Sequence, residues 1–227
     1  MTNTTGTTDP TDPTDPTDFR ARLAADRVIA VVRAPHIPDA AALCEALLAG
    51  GVRWIELTCT TPDVMVQLER AAAAAVGLGC QVGLGTVLTA EQARQGIAAG
   101  AGFLVTPGLR PEVAEVAARA GVPVVLGAMT PTEVAGAVDL GAAAVKVFPA
   151  GTLGPDYFAD LRGPFPEVPL VASGGVGLTN AAAFLAKGAL AVCGGGSLVP
   201  PGAVAEGVWS VLTSRARKFT AALDGQG

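Results

Sequence analysis

The chain holds three lysines, and one of them, Lys146, stands inside the apolar run AAAVKVFP at 142–149. Burying an ammonium without a partner costs several kcal/mol, so an amine placed where a buried strand should end needs a reason. Strand alternation sets Ala144, Lys146 and Phe148 on one face and Val145 and Val147 on the other. One reading is an amine held without its proton as a nucleophile for a carbonyl carbon. The other is an edge-strand lysine whose head reaches water. Lys187 falls in a last helical turn before Gly188, and Lys218 in the basic run RARK, so neither offers an amine to a buried site. Glu56 has a setting like that of Lys146: in VRWIELT, Trp54, Glu56 and Thr58 share one face, Ile55 and Leu57 the other. A carboxyl there is a general acid or base, or an ion-pair partner of Arg33 or Lys146, and it can be both. Two glycine clusters, SGGVG from Ser173 and GGGS ending at Ser197, would let backbone N–H groups and the start of the next helix meet an anion. Glycines in such numbers also suit ordinary tight turns.

These residues need elements to hold them. From Asp18 onward the sequence repeats a short apolar run, a helical stretch and a glycine. A lead-in helix is expected over 19–25, then strands at 27–33, VRWIELT, CQVGLGT, GFLVT, VPVVLG, the lysine strand, VPLVAS and ALAVCG. Helices are expected over 38–48, from Thr61-Pro62-Asp63, from Thr89 with Gln92 at capping-box spacing, from Pro111, and from Thr130. Further helices are expected over 155–162, 179–186 and 201–223. The strand–helix pairs recur about every 20 to 30 residues, the length of a βα unit. Strands apolar on both faces mean a parallel sheet under helices, and eight of them predict an α/β fold closed as a (βα)8 TIM barrel. A doubly wound open sheet is the alternative, but it would show a glycine-rich loop after the first strand, where this chain reads RAPHIPD. Barrel enzymes work at the C-terminal ends of their strands. The polar residues there are Arg33, Glu56, Thr58, Thr60, Thr86, Thr106, Lys146, Ser173 and Ser197.

At 227 residues, half of them apolar, one barrel domain over 18–227 can bury a large core. Residues 1–17, built from Thr-Asp-Pro repeats, carry no apolar surface and are expected to be a disordered leader. A net charge of −5 with 15% charged residues gives no basic patch, which argues against nucleic acid as a partner. So few charges also point to surface covered by other subunits. Cys44, Cys59, Cys80 and Cys193 form no CxxC pair, and the single histidine, His36, excludes a multi-histidine metal centre. The cysteines fit small core residues in a reducing compartment, and His36 a loop residue or, alternatively, a catalytic one. The N-terminus has no apolar signal core. Two uncharged runs, 71–90 and 188–205, are long enough to raise a membrane question, but Gly and Pro break both into buried barrel segments.

The strand-end motifs IELTCTTPD, GLGTV, VTPGL, VKVFPA, SGG and GGGSLVP, in this order, resemble the family of 2-dehydro-3-deoxy-phosphogluconate aldolases. That family includes the closely similar 2-dehydro-3-deoxy-6-phosphogalactonate and 4-hydroxy-2-oxoglutarate aldolases, and the resemblance runs over 19–209. It implies class I chemistry without metal, a (βα)8 barrel, a phosphorylated 2-oxo acid substrate and a homotrimer; no cofactor and no nucleic acid or membrane partner are expected, and the compartment expected is the cytoplasm. Carried over by position, it implies Lys146 as the Schiff-base residue and Glu56 as the acid/base. It implies Thr86 as a contact of the pyruvyl carboxylate, Pro107 and Phe148 as pocket walls, and Ser173, Gly174, Gly175, Gly196 and Ser197 as a phosphate cradle. One position departs: many phosphogluconate-type members carry an Arg four residues after the catalytic Glu, gripping the substrate carboxylate, and here Thr60 stands in that place among the substrate contacts. Phosphogalactonate-type relatives carry an Arg at the end of strand one instead, which Arg33 matches, so Arg33 becomes the candidate carboxylate clamp. The expected reaction is cleavage of 2-dehydro-3-deoxy-6-phospho-D-gluconate to pyruvate and D-glyceraldehyde 3-phosphate. The galactonate epimer and 4-hydroxy-2-oxoglutarate stand as alternative substrates, and a metal-dependent aldolase or a barrel that only binds a phosphorylated ligand as rival functions.

Overall fold

Short strands that are apolar on both sides can satisfy their backbone only by pairing with one another and their side chains only under a layer of helices. The computed structural model describes residues 16–224. The leader expected over 1–17 therefore lies outside the described residues up to position 15, while positions 16 and 17 belong to helix α1 (Pro16–Asp26).

Eight parallel strands close into a barrel in sequence order. They are β1 (Val28–Val32), β2 (Trp54–Thr58), β3 (Gln81–Gly85), β4 (Leu104–Val105), β5 (Val124–Ala128), β6 (Ala144–Val147), β7 (Leu170–Ala172) and β8 (Ala191–Gly194). The registers Val31↔Glu56, Thr58↔Gly85, Gly127↔Lys146 and Ile29↔Cys193 fix which side chains meet inside. Between strands run α2 (Ala40–Ala49), α3 (Val64–Leu78), α4 (Ala90–Ala98), α5 (Pro111–Ala120), α6 (Pro131–Asp139), α7 (Ala150–Leu153), α8 (Asp156–Arg162) and α9 (Ala181–Ala186). After β8 come α10 (Pro201–Ala205) and α11 (Trp209–Asp224).

The alternation expected of the strands separates two cores. Val32, Ile55, Leu57, Val145 and Val147 point outward and pack under the helices. Ile29, Trp54, Phe103, Val105, Val125, Ala144, Val171 and Cys193 fill the barrel, joined by Phe19 and Leu23 from α1. Phe19 meets Trp54 edge-on at 5.1 Å between ring centroids, and the Trp54 indole N–H donates to Asp26 at 2.7 Å. Each such aromatic, fully buried, contributes about 2–3 kcal/mol. Helix α1 thus seals the end of the barrel where the strands begin.

Several boundaries differ from the expectations. Strand β4 is two residues long rather than five. Thr61-Pro62-Asp63 does not open α3: Asp63 has φ 53, outside the helical region, and helix starts at Val64. At Thr89 the hydroxyl accepts from Gln92 N–H, but the Gln92 side chain returns to Leu88 N–H, so the reciprocal box forms instead at Thr130 and Glu133. The segment expected as one helix over 155–162 is preceded by the separate turn α7. The last helix is two helices, interrupted where Gly207 takes φ 66. Among the described residues no helix is long and apolar enough to cross a membrane.

Candidate active site

Lys146 projects from β6 into the barrel mouth with its side chain 8% exposed, and Glu56 projects from β2 wholly buried. Nζ of Lys146 lies 3.7 Å from Oε1 of Glu56, inside ion-pair range but beyond a hydrogen bond. Among the described residues neither carboxylate oxygen has a hydrogen-bond partner. A buried carboxylate that has an ion-pair neighbour but no hydrogen bond is costly to hold. The pairing is with Lys146, not with Arg33. The lysine is not an edge residue reaching water: Ala144 below it leaves room, and its ammonium position lies 5.9 Å from the Phe148 ring centroid. Space for the Glu56 carboxyl comes from Gly85 on β3, where a Cβ would sit 1.8 Å from Oε1.

Beside this pair stands Cys193 on β8, which alternation in ALAVCG places on the inward face although its type gave no reason to single it out. Burial pushes its thiol up to about 11, against the opposing pull of Lys146. It is therefore a neutral neighbour at pH 7.

A cavity of about 990 Å³ opens from Lys146 and Glu56 to the turns after β7 and β8. Gly174 and Gly175 take φ 82 and 73, and a Cβ on Gly174 would strike the Phe148 ring at 2.8 Å. Asn180 clamps the first turn, accepting from Gly177 N–H at 2.8 Å and donating to the Gly175 carbonyl at 3.0 Å. The Ser197 hydroxyl donates to the Val176 carbonyl at 3.0 Å and so joins the two turns. Among the described residues the amides of Gly174, Gly175, Gly196 and Ser197 find no protein acceptor. These backbone N–H groups are therefore free to donate to a ligand. Helix dipoles, expected to help, contribute little, because α9 and α10 are short and begin several residues beyond the turns.

Of the residues singled out from sequence, Arg33, Glu56, Thr60, Lys146, Phe148, Ser173, Gly174, Gly175, Gly196 and Ser197 line the cavity. Thr86 and Pro107 do not. Thr86, at φ 57, accepts from the Arg33 guanidinium at 3.4 Å. Pro107 and Gly108 fold over Gly127, where a Cβ would lie 2.2 Å from the Pro107 carbonyl carbon, and the Thr106 hydroxyl holds that turn by donating to the Gly108 carbonyl at 2.7 Å. Thr58 is buried and donates its one proton to the Val32 carbonyl at 3.1 Å, so the 3.0 Å contact with Thr60 runs from Thr60 to Thr58. Thr60 therefore presents lone pairs to the cavity. His36 is exposed and off the wall. Among the described residues no three His, Cys, Asp or Glu side chains group as metal ligands would.

Residues 19–214 match the family described as Aldolase: KDPG and KHG aldolase. The chain is 40% identical over 192 residues to the 2-dehydro-3-deoxy-phosphogluconate aldolase of Treponema pallidum (strain Nichols), covering 83% of this chain and 89% of that one. It is 33% identical to a probable 2-dehydro-3-deoxy-6-phosphogalactonate aldolase of Rhizobium meliloti (strain 1021), covering 88% and 94%. The KDPG aldolase of Legionella pneumophila, solved with pyruvate captured at low pH as a covalent carbinolamine intermediate, superposes with a TM-score of 0.79 at 29% identity, covering 91% and 97%.

Proposed function

Because this chain belongs to the KDPG and KHG aldolase family, we propose that it is a class I aldolase cleaving a phosphorylated 2-oxo acid through a Schiff base on Lys146. One observation supports the assignment of roles: a nearly buried amine 3.7 Å from a carboxylate that, among the described residues, has no hydrogen bond, in a cavity also lined by residues whose amides have no protein acceptor among them. The Lys146 amine adds to the C2 carbonyl, and loss of water gives an iminium. Glu56 takes the proton of the C4 hydroxyl; the C3–C4 bond breaks, its electrons passing into the iminium, and an aldehyde leaves from an enamine of pyruvate. Glu56 then returns its proton to C3, and water releases pyruvate and the amine.

Arg33, the guanidinium on the cavity wall, would clamp the carboxylate bidentately, oriented by Thr86 from behind. Thr60, offering lone pairs, suits a hydroxyl or water proton and not a carboxylate. The amides of Gly174, Gly175, Gly196 and Ser197 would hold the phosphate, with Ser173 and Phe148 as walls. The substrate favoured is 2-dehydro-3-deoxy-6-phospho-D-gluconate, giving pyruvate and D-glyceraldehyde 3-phosphate. The galactonate epimer and 4-hydroxy-2-oxoglutarate would follow the same route. A homotrimer in the cytoplasm belongs to the same proposal, and four free cysteines accord with a reducing compartment.

Borohydride reduction in the presence of pyruvate tests the chemistry. A reduced pyruvyl adduct on the peptide carrying Lys146 is expected, with none in Lys146→Arg. An adduct confined to another lysine, or turnover abolished by a chelator with no adduct at all, would overturn it.

A further inference from the structure

The proposed phosphate end of the cavity is built from neutral amides, and a cation hydrogen-bonded to the GGGS turn does not line the cavity. Arg215, exposed on α11, donates from Nη1 to the carbonyl of Ser197 at 2.9 Å. The peptide unit that owns this carbonyl also owns the N–H of Leu198, which donates to the Gly195 carbonyl at 2.8 Å. The next peptide unit in line carries the N–H of Gly196, which has no protein acceptor among the described residues and belongs to a residue lining the cavity. A guanidinium is thus connected through two hydrogen-bonded peptide groups to an amide on the cavity wall. Each peptide in such a series is polarised by the one before it, so positive charge at one end strengthens the donor at the other. The Ser197 hydroxyl, tied to the Val176 carbonyl, carries the same constraint across to the SGGVG turn.

We propose that Arg215 is a positioning residue for the phosphate cradle: from outside the cavity it fixes the GGGS turn and polarises the Gly196 amide toward a phosphate ester. This rests on the aldolase assignment and deepens it, because it gives the chain a stated preference for phosphorylated over unphosphorylated 2-oxo acids. Arg215 touches no substrate atom. Its effect is confined to the end of the ligand that carries the phosphate and is weakened by salt, as an exposed charge must be.

The test compares wild type, Arg215→Gln and Arg215→Lys on 2-dehydro-3-deoxy-6-phosphogluconate and on 4-hydroxy-2-oxoglutarate, with inorganic phosphate as a probe bound to the whole protein. Arg215→Gln should raise the ratio of the two KM values, phosphorylated over unphosphorylated, by roughly threefold, in the range of an exposed charge interaction. The affinity for inorganic phosphate should fall by a similar factor, Arg215→Lys should restore most of both, and about 0.5 M salt should erase the difference. Equal losses on both acids, or a ratio that does not move in a variant that melts normally, would overturn the role. Phosphate binding needs no turnover, so it is read even if no pyruvyl adduct forms on Lys146; that outcome would refute the aldolase mechanism separately.

Discussion

Gly85→Ala is the sharpest probe of how Glu56 is held. The glycine has ordinary strand backbone, so alanine meets no conformational barrier there and acts only through its methyl group. That methyl would lie 1.8 Å from Oε1, 2.3 Å from Cδ and 2.4 Å from Cγ of Glu56, against 3.4 Å for ordinary contact, so the carboxylate must withdraw by about 1.6 Å. A misplacement of this size costs roughly a hundredfold in a proton-transfer step. The amine is on another strand and keeps its place. Two assays on pyruvate separate the functions: borohydride trapping reads the Lys146 adduct, and exchange of the C3 protons in deuterated water, followed by proton NMR, reads Glu56. The adduct should form in Gly85→Ala while exchange falls about a hundredfold, matching Glu56→Gln. Exchange at the wild-type rate in a folded variant would show that Glu56 does not depend on this space. Loss of the adduct together with exchange, at an unchanged melting temperature, would show that Gly85 serves the lysine instead.

Two stability predictions lie away from the chemistry. Glu133 accepts from Met129 N–H, and from the hydroxyl and N–H of Thr130, which together hold its carboxyl below the usual carboxylate range. Its stabilisation is therefore complete above that range and is lost as pH falls toward the lowered value. Glu133→Gln should melt about 2–4 °C below wild type at neutral pH, a capping loss of about 1 kcal/mol, and the gap should close on acidification in calorimetry. A gap that widens in acid would refute the capping role. Phe19→Ala should cost about 3–5 kcal/mol, read by denaturant melts, because a side chain 3% exposed leaves a hole against Trp54 and Phe103. Turnover well below the new melting point should be spared, and a variant that loses turnover without losing stability would contradict the placement of α1 at the closed end.

The barrel was legible because alternating strands and helix-spaced apolar residues recur eight times, and Lys146 and Glu56 because a charge breaks an otherwise apolar inward face. Positions inherited by resemblance fared less evenly. Thr86 and Pro107 sit at strand ends that face the mouth, but the direction of Pro107 depends on its turn collapsing onto a missing side chain at Gly127. Gly85 shows the same limit: a sequence displays a glycine, not the distant carboxylate that occupies its Cβ position. The break at Gly207 was hidden because a single glycine is tolerated within a helix, and only packing decided that Trp209 should begin a new one.

The aromatic stopper made by Phe19, Trp54 and Phe103 fills the barrel end where the strands begin, and the cavity at Lys146 lies at the other end, against the glycine turns. A ligand at Lys146 would occupy that cavity, with the glycine turns along its wall. Under the proposed mechanism the pyruvyl fragment would stay bonded to Lys146 until water frees it, so the aldehyde would be the first product able to leave that cavity.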